Sequence, residues 1–271
     1  MEEAKAGCSA DLRNIKLLIA YDGTDFCGWQ RQSSHSECAH NKRGGRTVLQ
    51  TRTVQGVIEE ALEKMHKMPV NLTGCGRTDS GVHASGQIAN FYTNIKSIEP
   101  ARFTPALNAL LPKDVRILEA SLAQPRFHAR FDAVMRTYRY YFILRPPLPH
   151  ESRYCLQLYS YPQIELLNSY GRLLLGERDC TIFAGAGDKS KSRSRYITRA
   201  RFFVEREYLV FEISANAFML NMVRSVAGTL LFYEEKNTPV QELQGIIAGG
   251  QRSLAGPTLP PQGLFLWKVE Y

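Results

Sequence analysis

The sequence predicts an α+β protein made of two halves with a similar plan. Strand-like and helix-like patterns alternate along the chain in two successive rounds, which places one domain over residues 15–124 and a second over 125–271. Strands and helices mixed in this way within each half are typical of α+β folds. The chain has 271 residues, 44% of them hydrophobic, which is enough for one large core or two modest ones.

In the first half, residues 17–21 form an apolar run that stops at an Asp-Gly turn signal and predicts a buried strand. Thr53 is a good N-cap, and the apolar residues behind it recur at helical spacing through Met65. Leu72 leads a strand into the loop that follows. Further strands are predicted at 87–92 and 115–120, and a short helix at 106–111. Residues 1–14 are predicted to be a disordered arm.

In the second half, residues 137–144 are aromatic and alternating, which predicts a strand with Tyr138, Tyr140 and Phe142 on one face. We interpret Tyr140 as a core side chain. A helix is predicted from Ile164 to just before Gly176, and a strand over 208–214. Apolar residues at helical spacing between 219 and 230 predict a longer helix, and residues 264–269 predict a final strand.

The formal charge of +8 and the pI near 9.2 are compatible with an anionic partner such as nucleic acid. Residues 33–52 carry four cations against one acid and are predicted to be a basic insertion, either mobile or ordered by RNA. A second basic segment spans 186–206 and is predicted to be a flexible loop that tracks phosphates. Its cations are Lys189, Lys191, Arg193, Arg195, Arg199, Arg201 and Arg206.

Several functional classes are disfavoured by composition. No apolar run approaches the roughly 20 residues of a membrane span, and the acidic start is unlike a secretory signal. The six cysteines contain no C-x-x-C pair, and the spacing of His35, Cys38 and His40 matches no standard metal site. We therefore expect a cytoplasmic protein with reduced thiols, no membrane association and no metal.

The segment with most chemical information is residues 74–84, which read GCGRTDSGVHA. Asp79 has no second acid nearby, which argues against the paired carboxylates of most glycosidases, and no Ser–His–acid set is evident. Asp79 is therefore a candidate nucleophile that a neighbouring cation would keep ionised. Gly81 is expected to permit a tight turn that presents Asp79. Cys75 is interpreted as a small packing side chain rather than a nucleophile.

GRTDSGVHA resembles the catalytic signature of the TruA family of tRNA pseudouridine synthases. Other segments resemble that family in the expected order, from about residue 15 to the end of the sequence. They are YDGTDF (21–26), GWQRQ (28–32), TVQG (53–56), FHARF (127–131), RTYRY (136–140), NAFM (216–219), MVR (222–224), AGPT (255–258) and GL (263–264). The basic insertion and residues 188–196 depart from the family pattern.

The resemblance implies two ferredoxin-like, RRM-like halves that form a mixed, mostly antiparallel sheet with a central catalytic cleft. It implies that Asp79 is the catalytic residue, that Arg224 is its cationic partner, and that Tyr138 stacks on the target uracil and is a candidate acceptor of the C5 proton. Arg77 would hold a flipped nucleotide. Further RNA contacts are expected from Arg31, His83, Lys189, Lys191, Arg193 and Arg195.

The implied reaction converts uridine to pseudouridine at positions 38, 39 and 40 of the tRNA anticodon stem-loop, in a homodimer without a cofactor. Whether Asp79 attacks the base or the sugar stays open. Three alternatives also stay open: a non-catalytic RRM-like RNA-binding module, a synthase acting on other uridines or RNAs, and a tRNA-binding folding helper. The RRM signature of glycine-flanked aromatics is absent, and a binding module leaves GRTDSGVHA unexplained.

Overall fold

The computed structural model describes residues 12–31 and 52–271. In these two stretches the first half of the chain contributes four strands and two helices. They are β1 (Arg13–Tyr21), α1 (Val54–His66), β2 (Thr73–Gly74), β3 (His83–Thr93), α2 (Phe103–Asn108) and β4 (Val115–Leu122). The Thr53 hydroxyl accepts a hydrogen bond from the Gly56 N–H, which confirms Thr53 as the N-cap of α1.

The second half contributes six strands and three helices to the described stretches. They are β5 (Met135–Ile143), β6 (Leu156–Gln157), α3 (Ile164–Leu173), β7 (Gly176–Asp179), β8 (Ser194–Glu205), β9 (Tyr208–Ala215), α4 (Met222–Glu235), α5 (Val240–Gly249) and β10 (Leu264–Glu270). The elements β6, β7, β8 and α5 were not predicted. The predicted arm at 1–14 and basic insertion at 33–52 lie almost wholly outside the described residues, although β1 already begins at Arg13.

The prediction of one flexible basic loop over residues 186–206 is wrong for its second part, which is strand β8. Along β8, Ile197, Ala200 and Phe202 are buried while Arg199 and Arg201 are exposed. The β8–β9 register shifts between Ile197 and Arg199, so the inward-facing residues do not keep a strict period of two. The shift and the high charge together hide the strand pattern in the sequence.

All ten strands belong to one sheet in the order β4-β1-β3-β10-β5-β9-β8-β7, with β2 paired to β3 and β6 to β5. Most pairs are antiparallel, as the family resemblance implies; β10–β3 and β5–β6 are parallel. Strand β10 joins the halves because it pairs on one side with β3 of the first half and on the other with β5 of the second.

Two apolar cores pack against this sheet. One includes Leu17 and Phe91 with residues of α1 and α2, and the other includes Phe211 with residues of α3, α4 and α5. Tyr140 is fully buried in the second core, where its hydroxyl donates to the Pro260 carbonyl at 2.6 Å, which confirms it as a core side chain. Tyr138 contacts both cores and so lies where the two halves meet.

Two further sequence expectations bear on the class of protein. Within residues 12–31 and 52–271 no helix is long and apolar enough to cross a membrane. Cys75, Cys155 and Cys180 are buried free thiols.

Candidate active site

The loop that carries Asp79 lies between β2 and β3 and closes in a tight turn. The Val82 N–H donates to the Asp79 carbonyl at 3.1 Å, and Gly81, the third residue of this turn, has φ of 77°. A turn with positive φ at its third position favours glycine. A β-carbon at Gly81 would also lie 2.8 Å from Cγ of Pro261. The predicted role of Gly81 in presenting Asp79 is confirmed.

Gly28 and Trp29, in the segment after β1, contact the backbone of this loop. Gly28, with φ of 88°, lets the backbone approach so closely that a β-carbon there would lie 2.6 Å from the Thr78 carbonyl oxygen. The Trp29 N–H donates to that same carbonyl at 3.1 Å. The hydroxyls of Tyr21 and Thr78 share a hydrogen bond of 2.8 Å. The backbone just before Asp79 is therefore held in place through Thr78.

Arg224, in the first turn of α4, is the cation that faces Asp79. Its Nη1 lies 3.8 Å from Oδ2 of Asp79, and the two side chains are 16% and 28% exposed. The Arg224 Nε donates to the Leu259 carbonyl at 2.6 Å and Nη1 donates to Oδ1 of Asn221 at 2.8 Å. These two bonds fix the guanidinium plane, so the sequence-predicted pair of Asp79 and Arg224 is brought together in the structure.

The electrostatic balance at Asp79 is set by burial on one side and by the Arg224 cation on the other. Burial raises the pKa of Asp79 above its ordinary value, although Arg224 and the Asn221 backbone N–H both lower it. The 3.8 Å separation is longer than a charge-assisted hydrogen bond. The carboxylate is thus poorly solvated and only partly compensated, which makes it more basic and more nucleophilic than a surface aspartate.

Tyr138 lies on the central strand β5, opposite Ile213 of β9 and Leu266 of β10. Its ring packs edge-on against Phe218 with centroids 5.1 Å apart. Burial raises the pKa of Tyr138 well above its ordinary value, and nearby Cys75, Tyr21 and Asp79 raise it further. Tyr138 therefore lies in the same enclosed site as Asp79.

His83 does not make the RNA contact predicted for it, because its side chain is fully buried at the start of β3. Its Nδ1 accepts from the Gly23 N–H at 3.0 Å, and its Nε2 donates to the carbonyls of Arg153 and Gln262. The ring also stacks on Phe265. These partners fix one neutral tautomer and make His83 a structural residue that joins the loop after β1 to the second half.

The burial of His83 has a pH-dependent consequence. Burial lowers the pKa of His83, although Asp22 raises it, so the unfolded chain binds this proton more readily than the folded one. Stability from His83 is therefore present above the unfolded pKa near 6.5 and is lost as the pH falls towards the folded value. We expect urea unfolding free energy to decrease from about pH 7 to 5 less steeply in His83→Gln than in wild type. An equal dependence of the unfolding free energy on pH in both proteins would contradict this expectation. The control is His150→Gln, a substitution at an exposed histidine.

The basic segment 186–206 divides into exposed and engaged cations. Lys189 and Lys191 are exposed and remain available to an anion. Arg193 is paired with Asp188 at 2.8 Å. Arg195 is only 7% exposed and donates to the carbonyls of Ser192 and Ser194, so the structure does not support the RNA contact predicted for it.

Arg31 and Arg77 are both exposed. The Arg31 side chain is 62% exposed and lies 3.9 Å from Glu59, a weak surface pair that leaves its charge available. Arg77, two residues before Asp79, is on the solvent side of the same loop. Both positions are compatible with the predicted contacts to RNA.

Two residues that the sequence did not single out hold the site together. Arg136 donates to the carbonyls of Cys75 and Asn216, and so links the Asp79 loop to the segment that leads into α4. Asp188 accepts the Leu220 N–H at 2.7 Å and so ties the basic loop to that same segment. Their partners are backbone atoms, which leave no sequence signal. Cys75 is confirmed as a packing residue, because it is buried in the first apolar core. Burial also raises the pKa of its thiol to about 11.

A family model described as tRNA pseudouridine synthase matches residues 17–132 and 172–271, well over half of the chain. Pseudouridine synthases are isomerases. The matched residues include both the Asp79 loop and the start of α4. Among solved structures, a Cbf5-Nop10-Gar1 complex matches at 13% identity over 65% of this chain and 40% of that chain, with a TM-score of 0.30, a likeness that carries no argument here.

Full-length relatives give the particular family. A tRNA pseudouridine synthase A from Treponema denticola is 49% identical over 264 residues, which cover 97% of this chain and 94% of that protein. One from Treponema pallidum is 48% identical over 91% of this chain and 85% of that protein, and one from a Thermoanaerobacter species is 35% identical over 96% of this chain and all of that protein. The chain belongs to the TruA family of tRNA pseudouridine synthases, as its series of motifs predicts.

Proposed function

We propose that this protein converts uridine to pseudouridine at positions 38, 39 and 40 of the tRNA anticodon stem-loop, with Asp79 as the nucleophile. The observation that carries the proposal is the half-buried carboxylate of Asp79, 3.8 Å from Arg224, on the loop that bears the family signature. The names of its relatives provide tRNA as the substrate class. Anticodon-arm uridines are what the family resemblance implies.

The reaction breaks the N1–C1′ bond of uridine and forms a C5–C1′ bond, so no atom or electron is gained or lost overall. The Asp79 carboxylate attacks either the base or the sugar, and its bond to the nucleotide breaks again before product leaves. The C5 proton is lost and N1 gains a proton. A poorly solvated carboxylate favours the attack, since less hydration has to be removed from it.

The surrounding side chains have separate proposed roles. Arg224 compensates the charge of Asp79, and the Tyr138 ring stacks on the target uracil. The Tyr138 oxygen is the candidate acceptor of the C5 proton, as the family resemblance implies. Exposed Arg77 fills the space that a flipped nucleotide leaves in the RNA stem. Exposed Arg31, Lys189 and Lys191 contact phosphates.

We also propose that the chain divides into domains at 15–124 and 125–271, with ferredoxin-like plans and the catalytic cleft between them. The two apolar cores support this division. Asp79 comes from the first of these stretches, while Tyr138 and Arg224 come from the second, so the site lies at their junction. A homodimer in the cytoplasm follows from the family resemblance, and sedimentation of the purified protein tests the dimer.

Release of tritium from C5-labelled uridine tests the function directly. We expect release from an unmodified tRNA transcript, and none from a matched transcript in which uridines 38, 39 and 40 are replaced by cytidine. Release that persists from the replaced transcript would indicate a synthase for other uridines. Binding without release from either transcript would favour the non-catalytic RNA-binding module or the folding helper.

A further inference from the structure

Phe131, in the loop before β5, is a large apolar side chain left 76% exposed. Single exposed apolar side chains are common on protein surfaces, so exposure alone assigns this ring no role. The contacts around the ring and its connection to the candidate active site are what distinguish Phe131.

The ring is held in place by its surroundings. It stacks on the His128 ring with centroids 4.3 Å apart and an interplanar angle of 26°. The ring Nδ1 of His128 accepts hydrogen bonds from the backbone N–H groups of Arg130 and Phe131, each at 3.2 Å. The backbone N–H of His128 donates to the Asp132 carboxylate at 2.9 Å. These hydrogen bonds order the backbone of the loop, and the stacking on His128 leaves the other face of the Phe131 ring exposed. The Phe131 side chain therefore has little rotational freedom to lose when a ligand binds.

One side chain connects the loop that carries Phe131 to the candidate active site. Arg136 donates to the Arg130 carbonyl at 2.8 Å, to the Cys75 carbonyl at 3.2 Å and to the Asn216 carbonyl at 2.7 Å. Cys75 begins the loop that presents Asp79, and Asn216 begins the segment that leads to Arg224. Phe131 is therefore held at a set position relative to both sides of the site.

The charge around the ring indicates what it binds. Arg130 is exposed, and its guanidinium lies 5.8 Å from the Phe131 ring centroid. Arg126, five residues earlier in the chain, is exposed too. Asp132 is the acid in this loop, and its carboxylate already accepts the His128 N–H. A flat aromatic face with a cationic rim matches a nucleobase together with its phosphate, because stacking is tolerant of base identity and the cations track the backbone.

We propose that Phe131, backed by His128, is a stacking platform for an unpaired nucleobase of the RNA substrate, separate from the pocket of the target uridine. The proposal rests on the proposed function, since it takes the RNA to be the substrate of that site. An unpaired base is required because a base inside a helix has both faces covered. The platform would bind RNA next to the Asp79 site and so hold the stem-loop in register.

Substitution at Phe131 tests the platform. We expect Phe131→Ala to weaken binding of an unmodified tRNA transcript by about 5- to 100-fold and to raise KM for tritium release similarly, with a smaller effect on kcat. Phe131→Trp should retain binding, and its fluorescence should be quenched by the transcript. Phe131→Leu, which is apolar but has no flat face, should resemble Phe131→Ala. The control is Tyr159→Ala, which removes an aromatic side chain 92% exposed elsewhere on the surface.

Each contrary outcome is distinguishable. Wild-type binding by Phe131→Ala, or full binding by Phe131→Leu, would overturn the platform. A change in sedimentation mass of Phe131→Ala with unchanged tRNA binding would overturn it in favour of contact with a second copy of the chain. If wild type binds tRNA and releases no tritium while Phe131→Ala still binds weakly, the proposed function fails and the platform stands.

Discussion

Asp79→Asn is expected to lower tritium release by about 10⁴-fold or more while tRNA binding stays close to that of wild type. The amide has nearly the shape of the carboxylate but carries no charge and is not a nucleophile under these conditions. The loop is held through Thr78, Gly28 and Gly81, none of which depends on the carboxylate. Release and filter binding measured on the same preparations separate chemistry from affinity.

Asp179→Asn is a matched control for this substitution. Asp179 also sits in a turn, where its carboxylate accepts the N–H and hydroxyl of Thr181, and it lies at the end of β7, outside the candidate site. Its variant should release tritium at the wild-type rate. If Asp79→Asn released tritium as fast as wild type, Asp79 would not be the nucleophile and the site would have to be reassigned.

Arg224→Gln is expected to lower kcat by about 10²-fold and to move the acid limb of its pH profile upwards by about one pH unit. Arg224 lowers the pKa of Asp79 against the opposing effect of burial. Without that cation the pKa rises further, so the ionised carboxylate, and with it the activity, is lost at a higher pH as the solution is acidified. The profile of kcat at saturating tRNA between pH 4 and 9 measures the shift.

The glutamine can still donate to the Leu259 carbonyl, which limits structural damage to the start of α4. Arg145→Gln provides a control, because Arg145 pairs with Glu151 at 2.7 Å in the turn after β5 and lies outside the site. Its pH profile should match that of wild type. An Arg224→Gln profile with reduced kcat and an unmoved acid limb would mean that Arg224 acts on the RNA rather than through Asp79.

A clear period made one central strand predictable, and a register shift concealed another. The alternation of Tyr138, Tyr140 and Phe142 identified β5, whereas the register shift between Ile197 and Arg199 concealed β8. The predicted start of α4 at Met219 was three residues early, because Asn221, with φ of 59°, interrupts the helical backbone before Met222. Apolar spacing records the buried face of a segment and carries no information about such a break.

At the site, the motif identified Asp79 and the family resemblance identified its partner Arg224, but spacing alone could not pair residues so far apart in the chain. Composition could not show that His83 is fully buried, because the same imidazole serves equally well as a surface contact or as an internal hydrogen-bonding group. The anchoring bonds of Arg136 and Asp188 go to backbone carbonyl and amide groups that every sequence possesses.

The central place of β10 has a consequence for how the nascent chain folds on the ribosome. Strands β3 and β5 each leave unpaired the part of one edge that pairs with β10 until residues 264–270 have emerged, although every other strand of the described sheet is already synthesised by then. An unpaired strand edge invites association with another chain. The interval between synthesis of β5 and β10 is therefore the stage at which aggregation competes most strongly with folding, and the halves can close on each other only at its end.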